Sequence, residues 1–232
     1  TTGPVDDQLN VLVLEGEKGK PRVVLFNFTA HPLTAGPNNR KYTADYPGEA
    51  RRMVEADLPG CRALFLNGAA GNIHPRECMR EDFEATERIG SRLGRAVVEA
   101  AGEAEPVNGC PIGLSHDRLS FSNRADAGQE VEVELSCFSL GEILCAFAPG
   151  EFFVEHALRF KDSVADDRAL FAAYSNGWPG YVPTRSAYEE GGYGVDARDS
   201  DPSEYSRTCL PPGAGEEMTD RLIELARQSL SG

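Results

Sequence analysis

The sequence predicts an α/β fold: a mixed sheet flanked by helices, with an active site at the ends of the strands. Short apolar runs alternate along the chain with longer segments of helical periodicity, which is typical of this class. The first two runs, residues 9–14 and 23–28, are separated only by a Gly- and Lys-containing turn, which favours an antiparallel pair. We expect residues 1–232 to form a single domain.

Strands are predicted where short apolar or alternating runs are rich in β-branched residues. They are residues 9–14, 23–28, 63–66, 131–138, 142–147 and 170–174. In the fourth of these runs, Val131 and Val133 alternate with Glu130, Glu132 and Glu134. One face of that strand is therefore expected to contact water.

Helices are predicted where apolar residues follow the helical period. They are residues 47–57, 82–104, 152–160 and 213–230. Pro47 stands where the first turn of a helix tolerates proline, and Ile89, Leu93 and Val97 share one face of the second helix. The Gly- and Tyr-rich stretch 175–212 is too long for a plain connector. Loops of that size in a compact domain usually carry function or are disordered.

The composition argues against two classes of partner. Hydrophobic residues make up 41% and charged residues 26%, and the formal net charge is −14, which disfavours nucleic acid and anionic membrane surfaces. No apolar run approaches the roughly 18 residues that span a bilayer. The six cysteines contain no Cys-x-x-Cys pair, which favours a reducing environment over a disulfide framework.

Polar residues stand beside Pro or Gly at the ends of four short runs. These ends are residues 31–32, 71–75, 148–151 and 175–181. If the strands are neighbours, His31, Glu151 and Tyr181 meet at one edge of the sheet. They would then form a nitrogen- and oxygen-ligand site suited to zinc, with a position open for water.

Each of these residues also has a structural interpretation. A histidine before proline, such as His31, is often the hydrogen-bonded end of a strand. Glu151 follows Pro-Gly and could lie in the first turn of a helix, where it would interact favourably with the dipole. Tyr181 and Tyr193, in a Gly-rich loop, could be packed phenols. The spacing alone leaves both interpretations open.

Two further features carry weaker signals. The backbone at Gly71 and Asn72 could offer N–H groups to an oxyanion, but Gly-rich turns are common. His116 and His156 lack a strand-end setting, and we interpret them as surface or structural residues.

Five blocks of sequence occur in one order along the chain. They are residues 27–32 (Asn-Phe-Thr-Ala-His-Pro), 42–48 (Tyr-Thr-Ala-Asp-Tyr-Pro-Gly), 65–75, 149–151, and 180–184 followed by Tyr188 and Tyr193. Together they resemble the catalytic domain of the neutral/alkaline (non-lysosomal) ceramidase family. The resemblance covers most of this chain but only the later, C-terminal part of the family's catalytic domain.

The resemblance implies a zinc ion held by two histidines, a glutamate and a tyrosine. His31 matches the second histidine, Glu151 the glutamate and Tyr181 the tyrosine, while Tyr193 matches a tyrosine that contacts the scissile amide. The first histidine belongs to a segment before Thr1. That segment is expected either as a separate upstream chain after cleavage or as a part absent from this sequence.

The chain departs from the family at the active-site serine. The family's Gly-Asp-Val-Ser-Pro is replaced here by residues 71–75, with His74 at the serine position. This resembles the ceramidase-like bacterial hydrolases that lack the serine, and it disfavours long-chain ceramide as substrate. His74 could act as a proton shuttle or a replacement metal ligand, because neutral imidazole serves both functions; a structural role is the alternative.

The leading hypothesis is therefore a zinc-dependent hydrolase that cleaves the amide bond of a small soluble molecule. Zinc would lower the pKa of its water toward ~7 and polarise the carbonyl. Tyr193 or His74 would stabilise the oxyanion or protonate the leaving nitrogen. Asp45 would act as a second-shell partner of a ligand histidine.

Two other functions compete with it. Thr1 could be an N-terminal nucleophile exposed by self-cleavage, with its own amine as base; the motivation is a chain that begins without Met. Alternatively, the domain could be a non-catalytic relative that binds a small ligand without turning it over.

Overall fold

The computed structural model of the protein describes residues 3–107, 111–126, 128–164, 168–196 and 208–231, apart from the side chain of residue 231. The predicted α/β fold class is confirmed, since sheets with mixed strand directions occur together with helices. The chain divides into two compact units. One, here the N-terminal unit, spans residues 7–66 and 74–106; the other, the C-terminal unit, spans 1–6, 67–73 and 107–232. A single domain stays a prediction.

The N-terminal unit contains a small sheet and two helices. Its strands are β1 (Asn10–Glu15), β2 (Pro21–Phe28) and β3 (Arg62–Asn67), in the order β1-β2-β3. The helices are α1 (Asp45–Asp57) and α2 (Glu84–Gly102). The predicted antiparallel pairing of the first two strands is confirmed. All five elements were expected from the sequence, with boundaries that differ by three residues or fewer.

The C-terminal unit is built on a larger mixed sheet. Its strands are β4 (Ile112–Ser122), β5 (Glu130–Leu140), β6 (Ile143–Phe147) and β8 (Ala169–Ala172), in the order β4-β5-β6-β8. The first two pairs are antiparallel and the last is parallel. A second, two-stranded parallel sheet pairs β7 (Glu151–Phe152) with β9 (Tyr181–Val182). The helices are α3 (Val154–Val164), α4 (Arg185–Glu190) and α5 (Ala214–Ser231).

Helix α5 covers one face of the larger sheet. Its carbonyls accept hydrogen bonds from Ser115 Oγ of β4 and Ser139 Oγ of β5, at 2.6 and 2.7 Å. The predicted alternation in β5 is confirmed, because Val133 and Leu135 are buried whereas Glu132 is exposed. Around this interface lies a core of buried aliphatic and aromatic side chains that continues to β7 and α3. Residues 148–152, here called the Glu151 turn, are therefore anchored in this core through Ala148 and Phe152.

In the part of the chain that the structure describes, no helix is both long enough and apolar enough to cross a bilayer. Among the described residues, Cys61, Cys78, Cys137 and Cys145 are not in disulfides. Cys110 lies outside the described residues.

Candidate active site

Glu151 and Tyr181 lie opposite each other in the C-terminal unit. They are paired residues of the parallel strands β7 and β9, and the Glu151 N–H donates to the Gly180 carbonyl at 2.9 Å. Only 7% of Glu151 and 3% of Tyr181 is exposed. Two of the four segments singled out in the sequence therefore meet, but Glu151 and Tyr181 begin short strands of their own instead of following the ends of longer ones. The pairing places a carboxylate beside a phenol.

Two glycines allow the backbone to approach Glu151 closely. A Cβ at Gly150 would lie 2.5 Å from the Gly180 carbonyl oxygen, and the φ of Gly150 is +82°. A Cβ at Gly71 would lie 2.4 Å from the Glu151 carbonyl oxygen. The Gly71 N–H donates to Phe152 O at 2.8 Å. A side chain at either position would force the Glu151 turn to move.

Three tyrosines form a connected cluster with this carboxylate. Tyr174 Oη donates to Glu151 Oε2 at 3.2 Å, and Tyr181 Oη donates to Tyr193 Oη at 3.2 Å. The rings of Tyr181 and Tyr193 are 5.4 Å apart and inclined at 71°. Tyr193 is 48% exposed. The cluster thus runs from a buried carboxylate to a phenol that solvent can reach.

The phenol of Tyr181 is strongly biased toward its neutral form. Burial raises its pKa well above the ordinary value, and the hydrogen bond with Tyr193 and the charge of Glu151 raise it further. Burial and a neighbouring carboxylate both disfavour a phenolate. In this environment Tyr181 donates a hydrogen bond at neutral pH, and only a cation at the cluster would reverse that preference.

His31 lies in the N-terminal unit, just after β2. The residues around it are held by the start of α1: Tyr46 Oη donates to Ala30 O at 2.5 Å. The Leu33 N–H donates to the His31 carbonyl at 2.7 Å, forming a tight turn. The side chain is half-buried. Strand β2 ends at Phe28, and His31 follows three residues later, in the turn around Pro32.

Asp45 holds the segment that follows His31. One carboxylate oxygen accepts from Thr34 N at 3.1 Å, Thr34 Oγ1 at 2.6 Å and Tyr46 N at 2.8 Å; the other accepts from Ala35 N at 3.0 Å. Asp45 is buried and has a φ of +51°. Asp45 and Tyr46 thus anchor the backbone on the two sides of His31. Direct partnership with a ligand histidine stays a prediction.

The Gly-Asn-Ile-His turn is divided between the two units. Asn72, in the C-terminal unit, accepts from Val154 N at 2.8 Å and donates to Glu155 Oε2 at 3.0 Å, so its side chain caps the start of α3. His74, in the N-terminal unit, is exposed. The oxyanion role of Gly71 and Asn72 and the proton transfer by His74 stay predictions.

His116 and His156 are not members of the cluster formed by Glu151 and the three tyrosines. His116 is exposed on β4. His156 of α3 is buried, with its Nδ1 3.1 Å from Thr219 Oγ1, and burial lowers its pKa. Thr1, the alternative nucleophile, lies outside the described residues.

The predicted site residues therefore fall into two groups. Glu151, Tyr181 and Tyr193 come together in the C-terminal unit, whereas His31 and Asp45 belong to the N-terminal unit. Within the described ranges, no three side chains of His, Cys, Asp or Glu are grouped to hold a metal ion. The phenol oxygen of tyrosine can also bind a metal ion. Glu151 and Tyr181, which are paired in neighbouring strands, therefore offer a carboxylate and a phenol oxygen side by side.

Tyr174 is the member of the cluster that the sequence did not predict. It lies two residues after the end of β8, in a left-handed conformation with a φ of +58°. Its partner, Glu151, lies 23 residues earlier in the chain. No local pattern indicates such a contact. A bulky residue between an apolar run and the Ser-Asn-Gly turn is the only available signal, and it is equally typical of a packed phenol.

Two solved structures resemble this fold. The crystal structure of neutral ceramidase from Pseudomonas aeruginosa matches 96% of this chain and 46% of its own, with a TM-score of 0.71 and 18% identity. The chain has a ceramidase fold. A ceramidase complexed with C2 matches 96% of this chain and 48% of its own, with a TM-score of 0.73 and 17% identity.

The structural match to ceramidases confirms the resemblance that the five sequence blocks indicated. This chain spans about half the length of the two solved ceramidases. No family model matches the sequence, and no curated protein matches it.

Proposed function

We propose that the chain is part of a zinc-dependent hydrolase that cleaves the amide bond of a small soluble substrate. The ceramidase fold supports a hydrolase of this general kind. The observation that supports the site most directly is the pairing of Glu151 with Tyr181 across β7 and β9, with Tyr174 and Tyr193 completing the cluster. Burial of a carboxylate is costly unless it is hydrogen-bonded or binds a cation, and Glu151, with a phenol donor on one oxygen, satisfies this condition and is suited to binding a cation.

Glu151 and Tyr181 would hold the metal from the C-terminal unit, and His31 would supply the imidazole. Carboxylate and imidazole are usual zinc donors, so the chemistry of this donor set fits the ion. His31 is included because of its place in the family resemblance. When bound, zinc would supply a water with a pKa near ~7 and polarise the substrate carbonyl.

Tyr193 is the residue best placed to act on the substrate. Its ring packs against Tyr181, its hydroxyl accepts from the Tyr181 hydroxyl, and nearly half of it is exposed. An exposed phenol of this kind can donate a hydrogen bond to the developing oxyanion or a proton to the leaving nitrogen. His74, which is exposed, is the alternative proton donor.

The substrate preference rests on two features of the sequence. The family's serine position carries His74, and the formal net charge is −14. Neither favours a long-chain lipid presented at an anionic membrane surface. A short acyl group on a soluble amine is therefore the proposed substrate class.

The test uses the full-length protein that contains this chain. We expect about one zinc per chain by elemental analysis, loss of hydrolysis on chelation, and faster cleavage of N-acetyl than N-palmitoyl amides of the same amine. Glu151→Gln should lose zinc and at least about 10³-fold in kcat/KM, whereas Glu217→Gln, an exposed control on α5, should retain both. A folded, active enzyme without zinc would contradict the metal. Preference for the palmitoyl amide would contradict the substrate class.

A further inference from the structure

We infer that Tyr174 is a positioning residue for Glu151: it orients the carboxylate that binds the cation. The inference rests on the proposed function, because it assigns Glu151 to the metal. Tyr174, which the sequence did not predict as a site residue, lies with Glu151 and Gly150 in the C-terminal unit.

Tyr174 contacts the Glu151 turn twice. Its hydroxyl donates to Glu151 Oε2 at 3.2 Å, and its backbone N–H donates to the Gly150 carbonyl at 3.1 Å. The next residue continues the contact, since the Ser175 N–H donates to Ala148 O at 3.0 Å. The same short segment therefore fixes both the backbone before Glu151 and the carboxylate of its side chain.

The backbone of Tyr174 is in a conformation that its side chain disfavours. Its φ is +58°, in the left-handed region where Gly, Asn and Asp are favoured and a bulky residue is uncommon. Strained residues persist where the surrounding structure requires them and cluster at functional sites. Glycine would relieve the strain here but would provide no phenol. A tyrosine in this conformation therefore points to its hydroxyl, which contacts Glu151, as the group that matters.

A donor on one carboxylate oxygen has a definite consequence for metal binding. A carboxylate can rotate and offers several lone pairs, so an unheld glutamate presents many geometries to a cation. A hydrogen bond to Oε2 restricts that rotation before the metal arrives. Partners of this kind in the outer shell of metal sites change affinity by about 10- to 100-fold when they are removed.

The experiment compares Tyr174→Phe with Tyr188→Phe in the full-length protein. Tyr188 is a matched control, since its hydroxyl donates to a carbonyl (Leu210 O, 2.9 Å) in the same unit. Zinc affinity is measured by competition with a chromophoric chelator, and urea unfolding of the zinc-free proteins serves as the readout for a merely structural role. We expect Tyr174→Phe to bind zinc about 10-fold or more weakly and Tyr188→Phe to bind it like the wild type, while both unfold at similar urea concentrations.

A second variant keeps the test decisive if Tyr174→Phe unfolds. Tyr174→Asn removes the phenol but suits the left-handed backbone, and it should also bind zinc about 10-fold or more weakly than Tyr188→Phe. Wild-type affinity in a folded Tyr174 variant would overturn the positioning role while leaving the zinc proposal intact. A wild-type protein that binds no zinc would overturn both.

Discussion

The turns that carry Glu151 and His31 are held in different ways. At Glu151, the side chain itself is held: Tyr174 donates to its carboxylate, while Gly71 and Gly150 let the backbone approach closely. At His31, the described contacts act on the main chain on both sides. Tyr46 binds the carbonyl before it, and Asp45 binds the amides after it.

The difference follows from the two side chains. A carboxylate has several equivalent acceptor positions and needs a donor to select one. His31 lies in a tight turn after β2, where the main-chain contacts on both sides fix the position from which its side chain starts. The Glu151 turn should therefore be sensitive to the loss of one hydroxyl, whereas the His31 turn should be sensitive to the loss of its backbone anchor.

The largest expected effect is at the backbone anchor of the His31 turn. Asp45→Ala removes the acceptor of the Thr34 and Ala35 amides and places alanine at a positive φ. We expect the free energy of unfolding to fall by about 3 kcal/mol or more, measured by urea denaturation. Asp45→Asn retains an acceptor oxygen and tolerates the left-handed region, so its loss should be clearly smaller. Equal stability of Asp45→Ala and the wild type would contradict the anchor.

A smaller effect is expected at the Glu151 turn from Gly71→Ala. The new Cβ would meet the Glu151 carbonyl oxygen at 2.4 Å, and relief of such a clash typically costs about 1–3 kcal/mol. Gly102→Ala is the control, since its Cβ would meet nothing within 4 Å, and we expect it to be neutral or slightly stabilising. Thermal unfolding and kcat/KM together check the prediction. If Gly71→Ala unfolds at the wild-type temperature and keeps the wild-type kcat/KM, the close approach at Gly71 is not needed and the prediction is wrong.

The smallest effect concerns His156, on the helix that follows Glu151. Burial lowers its pKa, opposed by smaller contributions from the Pro183 carbonyl and Glu216. The unfolded chain then binds a proton more readily than the folded one, so the free energy of unfolding should fall as pH drops below about 6.5 and level off below the folded pKa. His156→Gln should reduce the decrease in the free energy of unfolding between pH 7 and pH 5, whereas the exposed control His116→Gln should retain it. If His156→Gln loses as much unfolding free energy between pH 7 and pH 5 as the wild type, His156 is not the source of this pH dependence.

Most of the architecture could be predicted because its elements carry the usual periodicity. Strand β4 could not, because its pattern is inverted. Ile112 and Leu114 are about 70% exposed, whereas the face toward α5 carries Gly113, whose Cβ would clash with the Ser229 carbonyl, and Ser115, which bonds to α5. A small, polar inner face gives no apolar alternation to detect.

The candidate site was only partly predictable for a related reason. Glu151 and Tyr181 stand beside Pro and Gly at the ends of short runs, which is a local signal, and their pairing follows from the topology. Tyr174 and Gly71 act through contacts with residues far away in sequence. Such contacts exist only after the strands are placed, so composition and spacing do not reveal them.

The most direct test of the account is anomalous diffraction at the zinc absorption edge from crystals of the zinc-loaded, full-length protein. We expect a zinc peak within about 2.0–2.2 Å of a Glu151 carboxylate oxygen, with the Tyr181 phenol as a further ligand. A peak elsewhere, or a fully loaded crystal in which Glu151 does not contact the ion, would contradict it.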